Sequence, residues 1–332
     1  MSIDKIKAEI FEISNNYSPE FEQIALEVFR FQATNVPVYA QYLKHLNVNP
    51  VKVACLSDIP FLPVELFKSQ EIIAAGKQPE VVFMSSGTTG MVRSHHYVAD
   101  AELYRTSFLK GFKHFYGEPS NFCILALLPS YLERDGSSLV YMMDELIKQS
   151  NHQDSGFYLH NIEEMAQKLK ELDAAGQKVL LVGVSFALLD LVEEFEFNLK
   201  NTIVMETGGM KGKRREIPRP ELHATLCQRM GVKSIHSEYG MTELLSQGYS
   251  FGNGMFATPP WMKVLIRDTN DPFAYSKFGQ TGGINIVDLA NLYSCSFLEL
   301  KDLGKIHPDG LFEVLGRFDS SDIRGCNLLV AE

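Results

Sequence analysis

Ser85-Ser86-Gly87-Thr88-Thr89-Gly90 follows the apolar run Val81-Val82-Phe83-Met84, so a strand is predicted to run directly into a loop whose only side chains are hydroxyls. That is the chemistry of an anion cradle. Glycines let backbone N–H groups turn toward a phosphate, and Ser and Thr hydroxyls add donors without blocking the approach of a bulky polyphosphate. The Walker loop is excluded, because no Lys follows Gly90 and its spacing is missing. The same composition also makes ordinary loops, so the neighbouring chemistry decides. Two further groups carry it: Tyr239-Gly240-Met241-Thr242-Glu243, and Gly316-Arg317-Phe318-Asp319. Taken singly, Glu243 reads equally well as a solvated helix-start carboxylate, and Arg317 as a surface ion-pair partner. Near the C-terminus Cys326 is preceded by Arg324 and Gly325. A nearby guanidinium favours the thiolate, the form that attacks a carbonyl, whereas a buried tail cysteine is the plain alternative.

Other clusters are weaker. Gly183-Val184-Ser185-Phe186-Ala187 imitates the strand-turn-helix setting of a nucleophilic serine, and His223, His236 or His307 with Asp268 or Asp288 would complete a triad. Ala187, however, stands where the second glycine belongs. Gly252-Asn253-Gly254-Met255-Phe256-Ala257 fits a dinucleotide fingerprint only nominally, since Pro259 and Pro260 forbid the helix that should follow; a turn is expected. His95 and His96 are adjacent, so on a strand they face opposite sides and cannot both bind one metal.

The chain has 332 residues, 45% of them hydrophobic, enough for one large core or two domains. A formal charge of −10 argues against a nucleic-acid partner, and the basic run Lys211-Gly212-Lys213-Arg214-Arg215 is too short to reverse that. It is expected beside an anionic ligand or in solvent. The N-terminus has no apolar leader core, and no stretch reaches the ~18 apolar residues of a membrane span, so a cytoplasmic location is expected. The cysteines number five, are scattered and form no C-x-x-C pair, which reads as reduced thiols.

Three parts are expected along the chain. Residues 1–78 read as a helical segment packed on the core: Ser18 is a predicted N-cap, Pro19 the first helical residue, and Phe21, Ala25, Val28 and Phe29 an apolar face, after which Pro37, Pro50, Pro60 and Pro63 divide the rest. Residues 79–248 read as an α/β nucleotide-binding core. Apolar runs at Phe122 to Leu128, Val179 to Val182, Thr202 to Met205 and Ser234 to His236 alternate with helical stretches, one capped at Asn161 and stopped at Gly176. Such alternation means parallel strands with helices on both faces, and ligands bind beyond the carboxyl ends of the strands. Residues 249–332 read as a small β-rich subdomain with a C-terminal tail, with Pro308-Asp309-Gly310 as a hairpin turn.

Taken in order, the three motifs resemble those of the acyl-adenylate-forming enzymes, which activate carboxylates with ATP. Leu56-Ser57-Asp58-Ile59-Pro60-Phe61-Leu62-Pro63-Val64-Glu65-Leu66-Phe67-Lys68, Arg93-Ser94-His95-His96, Thr207-Gly208-Gly209, Asp288 and the tail Asp322-Ile323-Arg324-Gly325-Cys326 narrow the resemblance. They point to the acyl-protein synthetases of bacterial fatty-acid reductase complexes, relatives of the phenylacetate-CoA ligases. The resemblance implies an adenylate-forming α/β fold, ATP and Mg²⁺ as cofactors, a carboxylic acid substrate of fatty-acyl type, and an acyl-reductase or acyl-carrier partner. It implies that Ser85, Ser86, Gly87, Thr88, Thr89 and Gly90 grip the outer phosphates, with Arg93 close behind. Gly208 and Gly209 would pass by the adenine, Tyr239 and Gly240 would pack on it, and Asp288 and Arg317 would contact the ribose. Thr242 would meet the α-phosphate, Glu243 would hold the metal, Cys326 would take the acyl group, and Phe186 and Leu188 would border the acyl pocket. Two departures stand out. Arg93 occupies the region where members with the full plan carry Lys, and the sequence ends soon after Gly316-Arg317, where those members continue into a lid of roughly 100 residues carrying a catalytic Lys. Acyl transfer to a protein thiol is therefore expected over transfer to CoA. The rival readings are a CoA-ligase-like enzyme that needs a partner and a module that binds adenylates without turnover.

Overall fold

The computed structural model describes residues 2–86, 92–128, 136–208, 214, 215 and 217–317. Its first part is helical, with α1 (Ile3–Ile10), α2 (Pro19–Asn35) and α3 (Pro37–His45). Ser18 caps α2 as predicted, its hydroxyl accepting the Phe21 N–H at 3.2 Å. Phe21, Ala25, Val28 and Phe29 are buried on one face, and so is a polar residue the apolar pattern passes over, Gln32. Its amide donates to the carbonyls of Asn291 and Leu292 at 3.0 and 2.9 Å and accepts the Ser296 N–H at 3.0 Å. A fully buried amide needs such partners, and here they fasten the helical segment to a loop of the sheet.

Short elements follow: β1 (Leu62–Pro63), then the hairpin β2 (Val81–Met84) and β3 (His95–Val98), which forms a sheet of its own. Beyond it the alternation expected from sequence is present as α4 (Ala101–Tyr116), β4 (Cys123–Leu127), α5 (Ser138–Ser150), β5 (Gly156–Phe157), α6 (Ile162–Ala174), β6 (Val179–Val184), α7 (Ser185–Glu194), β7 (Thr202–Thr207), α8 (Arg219–Met230) and β8 (His236–Tyr239). Asn161 stands at the N-cap of α6, but its side chain turns to Glu164 instead of capping. Gly176 ends that helix with φ +78°. Every residue of β4 and β6 is buried, without alternation, as expected where both faces of a parallel sheet are covered.

The last strands are β9 (Gly248–Ser250), β10 (Met255–Ala257), β11 (Met262–Arg267), β12 (Thr281–Asp288), β13 (Phe297–Ile306) and β14 (Phe312–Arg317). Among the described residues one 12-stranded sheet runs β11-β12-β13-β14-β10-β9-β8-β7-β6-β4-β5, with β1 beside β13. It is parallel from β5 to β8 and antiparallel from β8 through β9 to β11. The α/β architecture is thus present with a β-rich C-terminal part. The Pro308-Asp309-Gly310 turn joins β13 to β14 with Gly310 at φ +85°. Gly252-Asn253-Gly254 is the turn between β9 and β10, with Asn253 and Gly254 both left-handed, and no helix follows. No described helix is long and apolar enough to cross a membrane.

Candidate active site

The parallel strands β7 and β8 deliver Thr207-Gly208 and Tyr239-Gly240 side by side at their carboxyl ends, where ligands of such sheets bind. The local hydrogen bonds shape both exits. Thr207 Oγ1 donates to Glu238 Oε2 at 2.5 Å. The carbonyl of Gly208, a residue with φ +66°, accepts the Ser185 hydroxyl at 3.1 Å, and that hydroxyl also lies 3.3 Å from Glu206 Oε2. Ser185 is therefore an internal strut, buried and committed, and not an exposed nucleophile.

Glu243 lies in the turn after Gly240 and is only 5% exposed. Burial raises its carboxyl above the ordinary Glu range; the Ser94 hydroxyl and the charges of Arg317 and Lys68 oppose that rise. Ser94 in turn brackets the phosphate-loop candidate, since its N–H donates to Ser85 Oγ at 2.9 Å and its carbonyl accepts the Ser85 N–H at 3.0 Å. Through Ser94 the Ser85 end of that loop and the Glu243 turn come to one place. Ser86 and Arg93 are exposed beside them. Gly87, Thr88, Thr89, Gly90, Gly209 and Cys326 lie outside the described residues.

The Glu243 turn is held from beneath by three buried polar residues. His96 Nδ1 meets the Thr242 carbonyl at 2.8 Å and its Nε2 faces Asn291 Oδ1 at 3.1 Å, while Asn291 Nδ2 donates to the Glu243 carbonyl at 2.9 Å. Asp288, 0% exposed, accepts the N–H groups of Leu245 and Ser246 at 2.7 and 2.9 Å and the Ser246 hydroxyl at 2.6 Å. Asp288 is the carboxylate expected at the ribose. Its two oxygens serve backbone and hydroxyl donors inside the core, with burial pushing its pKa up to about 6, and none of it reaches the cleft. The chain Gln32, Asn291, Glu243 carbonyl links the helical segment to the turn.

A second carboxylate lies beside Arg317 and Tyr239. Asp302 on β13 pairs in register with Arg317 on β14, its Oδ1 3.8 Å from Arg317 Nε, and it accepts the Tyr239 hydroxyl at 2.6 Å. Burial raises the Asp302 carboxyl, against the Tyr239 hydrogen bond and the Arg317 charge. Arg317 itself is 72% exposed at the side chain. Tyr239 is 9% exposed and its ring lies edge-on to Phe256 and Phe312, so little of the ring is open to a stacked base. Of the basic run, Arg214 is committed to Asp190 and Glu193 of α7, a protein ion pair and not an anion site. Leu188 is fully buried and Phe186 half-buried.

The donor set suits a magnesium ion on phosphate. Mg²⁺ is usually held by one or two carboxylates plus substrate phosphates, and Glu243 is a carboxylate whose charge is costly in its surroundings until a cation arrives. Among the described residues no cluster of three or more His, Cys, Asp or Glu side chains could hold a metal by itself.

His96 gives the site a pH signature. Full burial dominates and lowers its pKa from 6.5 to about 4, so between those values the folded chain binds fewer protons than the unfolded one. The stability it contributes is present above pH 6.5 and is lost as pH falls toward 4, by up to about 3 kcal/mol. Urea midpoints at pH 7 and pH 4.5 should therefore fall further for the native chain than for His96→Asn; equal losses would show that His96 does not set the acid limit.

No protein-family model and no curated protein sequence matches the chain. Solved structures do. An open form of 2-hydroxyisobutyryl-CoA ligase in complex with 2-HIB-AMP and CoA superposes with a TM-score of 0.65 at 12% identity, covering 91% of this chain and 72% of that one. The chain shares its fold with adenylate-forming CoA ligases. ATP-bound MatB from Rhodopseudomonas palustris gives a TM-score of 0.53 at 18% identity and covers 71% of this chain. This chain spans only 47% of MatB. At these identities the fold is what is shared.

Proposed function

We propose that this chain activates a carboxylic acid with MgATP as an acyl-adenylate and passes the acyl group to a thiol. One observation carries the reading: Glu243, Asp302 and Arg317 gather with Ser85, Gly208 and Gly240 at the carboxyl ends of β7 and β8, in a fold whose solved relatives include an enzyme holding an acyl-AMP. In the first step a carboxylate oxygen of the acid attacks the α-phosphorus of ATP; the new P–O bond forms as the bond to pyrophosphate breaks. In the second a thiolate attacks the acyl carbonyl and AMP departs with the carboxylate-derived oxygen.

In this reading Ser85 to Gly90 hold the outer phosphates, Thr242 meets the α-phosphate, and Gly208 and Gly209 pass the adenine. Glu243 holds Mg²⁺, which neutralises charge on the phosphate oxygens. Asp302 and Arg317 take the ribose hydroxyls, Asp302 in place of Asp288. Fixed donors and charges of this kind act because they need no reorganisation as charge moves. The acid is of fatty-acyl type and the acceptor is Cys326, with an acyl-reductase or acyl-carrier protein downstream. A second reading, CoA as acceptor, is favoured by the CoA present in the 2-hydroxyisobutyryl-CoA ligase structure. The test is pyrophosphate release in the presence of ATP, Mg²⁺ and acids of increasing chain length. Release that needs all three components is expected; none with any acid would remove the enzyme reading.

A further inference from the structure

Residues 57–61 help line a cavity that the adenylation reading leaves unused. It has a volume of about 280 Å³ and is walled by Tyr42, Asp58, Phe61, Phe273, Tyr275 and Glu299, with no Lys or Arg in its lining. Four aromatic rings and two carboxylates are the composition of a site for an organic cation, because ring faces and carboxylates both attract positive charge while the rings shelter an apolar stem.

The two tyrosines report the same field. Burial first, then Glu299, pushes the Tyr42 hydroxyl up to about 12; burial first, then Asp58, does so for Tyr275. Tyr42 is fixed by donating to the Phe61 carbonyl at 3.0 Å. Asp58 takes only the Ala54 N–H at 3.4 Å and its near neighbours, and remains accessible. Arg267, 8% exposed and bound to the carbonyls of Ile284 and Leu300, pairs with Glu299 at 3.4 Å, so Glu299 is partly compensated and Asp58 is the carboxylate that supplies most of the uncompensated charge. Phe273 is 61% exposed, a large ring left in water that an occupant would cover.

The geometry points to an organic-cation site between the Asp58-Ile59-Pro60 turn and the Pro272–Tyr275 loop, sized for an alkylammonium or guanidinium head on a short apolar stem. The cation is a free small amine or a Lys or Arg side chain carried on a peptide. The site does not depend on the adenylation reading. It is tested by ligand-detected NMR and calorimetry on the full chain with Nα-acetyl-lysine methylamide, its neutral isostere Nα-acetyl-norleucine methylamide, tetramethylammonium, and a Gly-Lys-Gly peptide. The lysine probe should bind about ten-fold more tightly than norleucine, and Phe273→Ala, at an exposed position that leaves the core intact, should reduce that binding several-fold. Asp58→Asn should weaken the charged probes and spare norleucine. Tighter binding of the peptide than of tetramethylammonium identifies a presented side chain, the reverse a free amine. Equal binding of lysine and norleucine, no binding of any cation, or indifference to Phe273→Ala overturns the site.

Discussion

Glu243→Gln should lower acid-dependent pyrophosphate release by at least ~10²-fold, the scale of losing one transition-state electrostatic contact, while leaving the fold as stable as before or more so. The two halves of that expectation come from one environment. Glu243 is nearly sealed, and burial raises its carboxyl above the ordinary range despite Ser94, Arg317 and Lys68. Its charge therefore costs stability in the absence of a cation, and Gln removes the cost while keeping the size and an acceptor for Ser94. Melting curves without nucleotide and rates at several Mg²⁺ concentrations measure both halves. A near-normal rate with unchanged Mg²⁺ dependence would refute the metal role, and a large drop in melting temperature would make Glu243 a structural residue.

Cys326→Ser should abolish thioester formation and leave pyrophosphate release largely intact. Three of the four described thiols are poor alternatives. Cys123 and Cys295 are fully buried, with burial pushing them up to about 11 and about 12, and burial also raises Cys227; a thiol in that range is hardly ever the attacking thiolate. Cys326, two residues after Arg324 in sequence, is the proposed acceptor. Incubation with fatty acid, ATP and Mg²⁺ should leave a hydroxylamine-labile adduct in the intact mass, mapping to the C-terminal peptide. An adduct on Cys55 or Cys295, or acyl transfer to CoA alone, would make Cys326 structural and return the chain to a generic adenylate-forming ligase.

Much of the fold was legible because its signals are local. Ser18 and Pro19 start a helix by capping chemistry, fully apolar runs such as Val179 to Val182 suit a strand covered on both faces, and Pro308-Asp309-Gly310 closes a hairpin by backbone preference. The candidate site was legible in part, and what the sequence leaves out has a physical cause. Counting outward from the pairing of Ile306 with Phe312 sets Arg317 against Lys301; a register shift at Leu303/Gly304 moves it onto Asp302 instead. One bulged residue thus exchanges a like-charge pair for the carboxylate that also receives the Tyr239 hydroxyl. Nothing in the linear spacing announces that shift. Asp288 shows the converse: a motif gives a carboxylate's address and not its partners, and here the partners are the N–H groups of Leu245 and Ser246. Gln32, His96 and Asn291 were invisible as a unit because the hydrogen bonds joining them to one another and to the Glu243 turn span 48 to 259 residues of chain.

Oxygen labelling tests the central claim most directly. A carboxylic acid carrying ¹⁸O in its carboxylate, incubated with the protein, ATP, Mg²⁺ and a thiol acceptor, should deliver one labelled oxygen to AMP, because the oxygen that attacks the α-phosphorus stays on phosphorus when the acyl group leaves. Labelled AMP with unlabelled pyrophosphate is the predicted result. Label in inorganic phosphate alongside ADP, or ATP cleavage that leaves AMP unlabelled, would contradict an acyl-adenylate at this site.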